Sequence, residues 1–218
     1  MKLIPLLLIT IFINSAAVAQ GSIELEDKPF TVIGNPDQKI MDWLSGFSVY
    51  KKMTPFERDV VYWVNVMRSN PADFNDKYVS SFLNQFPEAQ SKYSKSLATD
   101  LKKSPALPLF KPTEILYSAS VSHARDLALK QKRLSHSSSS GEDFITRVKR
   151  AGIRECAAEN LYEGKDDALK GVILLLIDQN VPDLGHRKSL LDPRLNLMSP
   201  GSHPKENKFI LVQLFSCE

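Results

Sequence analysis

Cys156-Ala157-Ala158-Glu159-Asn160-Leu161-Tyr162-Glu163 is the stretch on which the reading of the chain turns. Glu159 to Glu163 is short and well bounded, which reads as a strand. Helix signals stand on both sides of it. Upstream, Phe144, Val148 and Ala151 recur at helical spacing, and Gly152 stops the run. Downstream, Asp166 or Asp167 caps a segment carrying the apolar run Val172 to Ile177. The chain is therefore one of helices interleaved among few strands. Glu159 lies amid mainly apolar neighbours, so its carboxylate must be paired, hydrogen-bonded or neutralised, a structural salt bridge being the plainest solution.

Further out, Thr54-Pro55-Phe56-Glu57 is a capping box with proline at the first helical position. Phe56, Val60, Val64 and Met67 then line one face. Asn70-Pro71-Ala72-Asp73 caps a second, short helix with Phe74, Tyr78 and Phe82 on one side. Gln85 to Ser104 is polar and reads as a surface connection with some helix. Thr113 opens a long helix expected to reach about Leu134, its buried stripe formed by Tyr117, Val121, Ala124, Leu127 and Ala128. Ser135 to Gly141, with its four-serine run, breaks that helix. Two strands close the chain, a short one near Leu195 to Met198 and another over Phe209 to Phe215, with turn-rich Gly201 to Asn207 between them.

At the other end, residues 1–19 read as a secretory signal peptide. Lys2 is followed by an apolar core, Leu3 to Ile13, and by Ala17-Val18-Ala19 before Gln20. A spanning helix wants ~20 apolar residues, and this run is broken at Asn14 and Ser15. The expected organisation is a signal peptide at 1–19, an N-terminal extension lying over the domain at 20–53, and one domain at 54–218. The expected location is the periplasm or the medium, with no transmembrane segment left after cleavage. In such an oxidising compartment Cys156 and Cys217, which flank two expected strands, are expected to pair. With 28 basic against 25 acidic residues, the 218-residue chain gives no reason to expect a nucleic-acid partner.

No G-x-S-x-G, H-E-x-x-H, C-x-x-C, phosphate-binding loop or G-x-G-x-x-G is present, which leaves a site assembled from dispersed residues. His123, inside the long helix, reads as bonded to Asp126 three residues on. His203 lies in the Gly201-Ser202-His203-Pro204 turn and reads as exposed. His136 and His186 instead sit at breaks between elements, where sites are usually built. Asp178 ends an apolar helix, where a carboxylate opposes the helix dipole; Arg187 or a metal would satisfy it.

The order of these pieces resembles the CAP superfamily of cysteine-rich secretory proteins, venom antigens and plant pathogenesis-related proteins of type 1. The segments that carry the resemblance run from Asn65-Val66-Met67-Arg68-Ser69-Asn70-Pro71 through Ser122-His123-Ala124-Arg125-Asp126-Leu127-Ala128, Leu134-Ser135-His136, Ala158-Glu159-Asn160-Leu161 and Leu184-Gly185-His186-Arg187 to Val212-Gln213-Leu214-Phe215. The Gly-His-Arg form is similar to the bacterial branch. The resemblance implies an α+β fold, an α-β-α sandwich with a small, mainly antiparallel sheet. It also implies a cleft holding His136, Glu159 and His186. Asp178 stands near the second acidic position, where many animal members have glutamate. Leu174-Leu175-Leu176 replaces a tryptophan often found there.

Three functional readings follow. Two neutral imidazoles with carboxylates suit Zn²⁺ or another divalent metal, so the first is a binding module for a metal, a lipid or a small molecule. The second is a metal-dependent hydrolase with Glu159 as base. The third is a buried polar network that only fixes the fold. The first is preferred, because no substrate-positioning motif is recognisable.

Overall fold

The computed structural model describes residues 25–32, 36–154 and 156–218; the expected signal peptide lies outside them. Two short helices, α1 (Gln38–Ser45) and α2 (Ser48–Lys52), come first. Ile40, Leu44 and Val49 from these helices are buried in the main apolar core. α3 (Pro55–Ser69) starts as expected, with Thr54 and Glu57 completing both halves of the capping box. Phe56, Val60, Val64 and Met67 are all buried. Asn70 caps α4 (Pro71–Phe74), which runs through a π-helical turn (Asn75–Val79) into α5 (Ser80–Gln85).

The polar connection is more ordered than its composition suggests. After a 3₁₀ turn (Pro87–Ala89), α6 (Lys92–Lys103) starts with a Ser91–Ser94 capping box and buries Leu97 and Leu101, one turn apart. α7 (Glu114–Lys130) and α8 (Phe144–Arg150) follow, then β1 (Ala157–Gly164), α9 (Ala168–Ile177), α10 (Gly185–Leu191), β2 (Leu197–Lys205) and β3 (Lys208–Ser216).

The sheet order is β1-β3-β2, with both pairings antiparallel. β3 is central and covered on both faces, which is why Ile210 to Phe215 is almost unbroken in apolar residues. Ile210 and Val212, with Leu161 of β1, pack on Ala124 and Leu127 of α7; Leu214 packs on Leu116 of the same helix. Leu211, Phe215 and Met198 join the core built on α3 and α9. The result is the expected α+β arrangement, a small antiparallel sheet between two helical layers.

α7 and β2 differ from expectation. α7 stops at Lys130, and its buried face is Leu116, Ser120, His123, Ala124 and Leu127 rather than the stripe through Tyr117 and Val121. The rotation brings the α7 backbone against Gly201 of β2, where a Cβ would run into the main chain of Ser120 and Val121. The Ser120 hydroxyl seals that contact by donating to the Ser199 carbonyl at 2.8 Å. β2 is also longer than expected, and it takes in most of the segment read as a turn. Pro200 and Pro204 are tolerated because β2 is an edge strand. The true turn is Glu206-Asn207, with Glu206 in the left-handed region (φ 56°). His203 thus sits half-buried in a strand.

Arg68 ties the layers together. It is fully buried and stacks its guanidinium 3.8 Å from the Phe110 ring centroid. It donates to the carbonyls of Pro108, Leu190, Asp192 and Leu195 at 2.6 to 3.2 Å. Burial lowers its pKa to about 10.

Candidate functional site

His186 is held at a corner built by backbone geometry. α9 is apolar nearly all round and ends at Asp178, which adopts the left-handed conformation (φ 56°). The chain then passes two further non-glycine left-handed residues, Asn180 (φ 63°) and Leu184 (φ 53°), before α10 begins. That turn points the first amides of α10 back at Asp178. Its carboxylate accepts from the N–H groups of His186 (2.9 Å) and Arg187 (3.2 Å) and from His186 Nδ1 (2.7 Å). Its satisfaction comes from these groups, not from the Arg187 side chain. That guanidinium goes instead to the Leu176, Ile177 and Tyr93 carbonyls, to Ser96 and to Asp100.

Glu159 is the second centre. It projects from β1 toward α7, and its side chain is 1% exposed. Arg147 Nη2, from α8, donates to both carboxylate oxygens at 2.8 and 2.7 Å and to the His136 carbonyl at 3.1 Å. His136 Nδ1 lies 2.9 Å from Oε1. His123 Nε2 faces the same oxygen at 3.8 Å but bonds the Ser135 carbonyl at 3.0 Å. A carbonyl only accepts, so Nε2 carries the proton and Nδ1 the lone pair. Burial lowers the His123 pKa, against the opposing pull of Glu159. The expected His123–Asp126 pair does not form, because Asp126 is taken by Ser139 and Gln131.

The four expected site residues therefore come together as two pairs, His136 with Glu159 and His186 with Asp178. Adjacent side chains of a strand point to opposite faces. Glu159 faces α7, whereas Asn160 donates to the His186 carbonyl (3.3 Å) and to Gln213 (3.1 Å) on the other side. A cavity of about 610 Å³ at the free edge of β1 is lined by Asp178 and His186 over a floor that includes Leu134, Leu161, Leu174 and Leu175. His136 and Glu159 lie outside that lining. Among the described residues, no group of three or more His, Cys, Asp and Glu side chains is placed to hold a metal ion.

The donor set nonetheless suits two imidazole ligands. Each Nδ1 is held by a carboxylate, an arrangement that puts the proton on Nδ1 and leaves the Nε2 lone pair for a metal. Arg147 was not legible from sequence as a site residue. Burial of Glu159 calls for a cation, but Arg147, Lys149 and Arg150 on one short helix are alike in sequence.

Cys156 and Cys217 form a disulfide, with Cα atoms 5.8 Å apart. It lies one residue beyond the Ala157–Ser216 pair and staples the end of β1 to that of β3. Among the described residues, no helix is long and apolar enough to cross a membrane.

Solved structures of two proteins are among those similar to this chain. An extracellular protein containing an SCP domain, from Bacillus anthracis, is 19% identical over 58% of the chain, with a TM-score of 0.44. The match spans 39% of that protein's length, well under half of it. Venom allergen-like protein 4 of Schistosoma mansoni is 12% identical, with a TM-score of 0.48, over 76% of this chain and 90% of that one. No protein-family model matches the sequence, and no curated protein does.

Proposed function

We propose that the chain is a secreted, CAP-type binding protein that takes a divalent metal, zinc by donor chemistry, on His186 at the edge of β1, with His136 a second, separate imidazole donor. The observation that carries this reading is the shared state of the two rings. Each presents Nε2 while a carboxylate holds Nδ1, Glu159 at 2.9 Å and Asp178 at 2.7 Å. In this reading the carboxylates orient the ligands and do not coordinate. The leucine floor of the cavity beside His186 supports a small apolar or lipid ligand at the same place. A hydrolytic role for Glu159 is disfavoured, because Arg147 and His136 occupy the oxygens a base would use.

Titration calorimetry with zinc tests the reading. Wild type binds, and His186→Ala loses binding while keeping its circular dichroism spectrum. Unchanged affinity in that variant overturns the assignment. Native mass spectrometry of protein taken from its secretory compartment tests for a retained lipid.

A further inference from the structure

Residues 25–32, ahead of α1, lie as a strap without helix or strand along the end of α5 and the start of α9. Among the described residues, no hydrogen bond joins the main chain of the strap to the main chain of the rest of the protein. Domain side chains hold it instead. Glu88 accepts from the Glu26 N–H (2.9 Å), Asp167 from the Phe30 N–H (3.3 Å) and Gln85 from the Thr31 N–H (3.3 Å). Gln85 also donates to the Thr31 carbonyl (2.9 Å), and Lys170 to the Lys28 carbonyl (3.3 Å). These five contacts read backbone alone.

One side chain supplies the selectivity. Phe30 stands edge-on to Phe82 and Phe86, with ring centroids 5.4 and 6.3 Å away, and both of those rings are fully buried. The strap's charged side chains add little. Glu26 pairs with Lys28 inside the strap, and exposed Asp27 meets Lys165 only at 3.9 Å. Pro29 biases Lys28 before it toward the extended backbone that the groove holds. Main-chain hydrogen bonds for affinity, with a pocket for one side chain, are the division of labour in peptide recognition.

We propose that the groove between α5 and α9 is a peptide-recognition site for an extended, phenylalanine-bearing segment, filled here by the chain's own strap and able to take the same strap from a second copy. The fit of that segment is the one the structure displays. Leu25, Glu26 and Asp27 also line the cavity beside His186, so exchange of the strap rebuilds one wall of that cavity. The inference does not depend on the metal reading.

The probe is a synthetic peptide of residues 25–32, titrated into the full chain and followed by ¹⁵N resonances. In wild type the strap competes as a tethered ligand, at an effective concentration on the order of millimolar. Phe30→Ala unlatches it. The peptide should shift the amides of Phe86, Glu88 and Lys170 and the side-chain amide of Gln85 in that variant, and bind wild type at least about tenfold more weakly. Thr31→Pro, which deletes the N–H given to Gln85 and keeps Phe30, is a second unlatched variant and should respond likewise. A peptide carrying the Phe30→Ala change should not bind. His186→Ala leaves all of these responses intact, so failure of the metal reading and failure of this one are separable. Three outcomes overturn the proposal: no shifts in either folded, unlatched variant, equal affinity for wild type and the unlatched chains, or equal binding of the peptide that lacks its phenylalanine.

Discussion

Arg147 holds Glu159 by both oxygens through a single nitrogen, in a pocket where both side chains are less than one-tenth exposed. A buried ion pair stabilises little relative to a well-packed apolar pair, but half of one is costly. Arg147→Leu alone should therefore destabilise by ~3–5 kcal/mol, and so should Glu159→Leu. Arg147→Leu with Glu159→Leu should cost clearly less than the sum. Urea unfolding of the four proteins checks this, and strict additivity would show that the pair is not coupled.

Asp178 holds His186 by its Nδ1 and its backbone N–H, so in the proposed reading it orients the ligand and does not coordinate. Asp178→Asn keeps an acceptor for the α10 amides but weakens the hold on Nδ1. Zinc affinity should fall ~10–100-fold, as for other residues that orient metal-bound histidines. Loss no greater than that of a surface control would place Asp178 outside the site.

Gly201 lets β2 lie on the α7 main chain, and a methyl group there meets backbone that cannot rotate away. Gly201→Ala should cost ~1–3 kcal/mol or more, read as a lower midpoint in thermal unfolding. A midpoint equal to wild type would mean that the two elements separate freely.

Asp126 anchors the serine loop through the Ser139 N–H (2.7 Å) and hydroxyl (2.5 Å). Burial pushes its pKa up, but hydrogen bonds from Ser139, Gln131 and Lys130 outweigh this and bring it down to about 2. The folded value is below the unfolded one, ~3.9, so the stabilisation is whole above that pH and is lost as pH falls through about 2. The stability gap between wild type and Asp126→Asn should close over that window. A gap that persists at the lowest pH would point to a packing role instead.

The disulfide closes a loop across 61 positions. By the chain-entropy model, Cys217→Ser should lose ~4 kcal/mol. Comparing unfolding of wild type with and without reductant gives the same difference by a second route.

Much of this architecture is legible in the sequence where local chemistry decides it. The Thr54–Glu57 box, the Asn70 and Asp167 caps and the Gly152 stop all lie where capping rules put them. Less was legible where a neighbouring element overrides local pattern. The face of α7 is set by Gly201 and by the environment of Glu159, both distant in sequence. β2 keeps two prolines only because it is an edge strand, a property of topology. For the candidate site, sequence reasoning marked His136, Glu159, Asp178 and His186. It did not show their division into two pairs, nor that His123 and Arg147 share the Glu159 centre. Which of several similar cations reaches a buried carboxylate is settled by packing.

α10 has seven residues, too few to persist as a helix on its own. Its leading amides are bonded to Asp178, and the Leu190 carbonyl near its far end is bonded to Arg68 at 2.8 Å. Both partners belong to the α3–α9 layer, so the segment bearing His186 has no independent way to fray. Its amide protons should exchange with solvent only when the whole molecule opens, in the same cooperative unit as the centre of α3. The ring of His186 therefore stands on a segment as firmly held as the domain itself, which is not the case for a residue on a mobile loop.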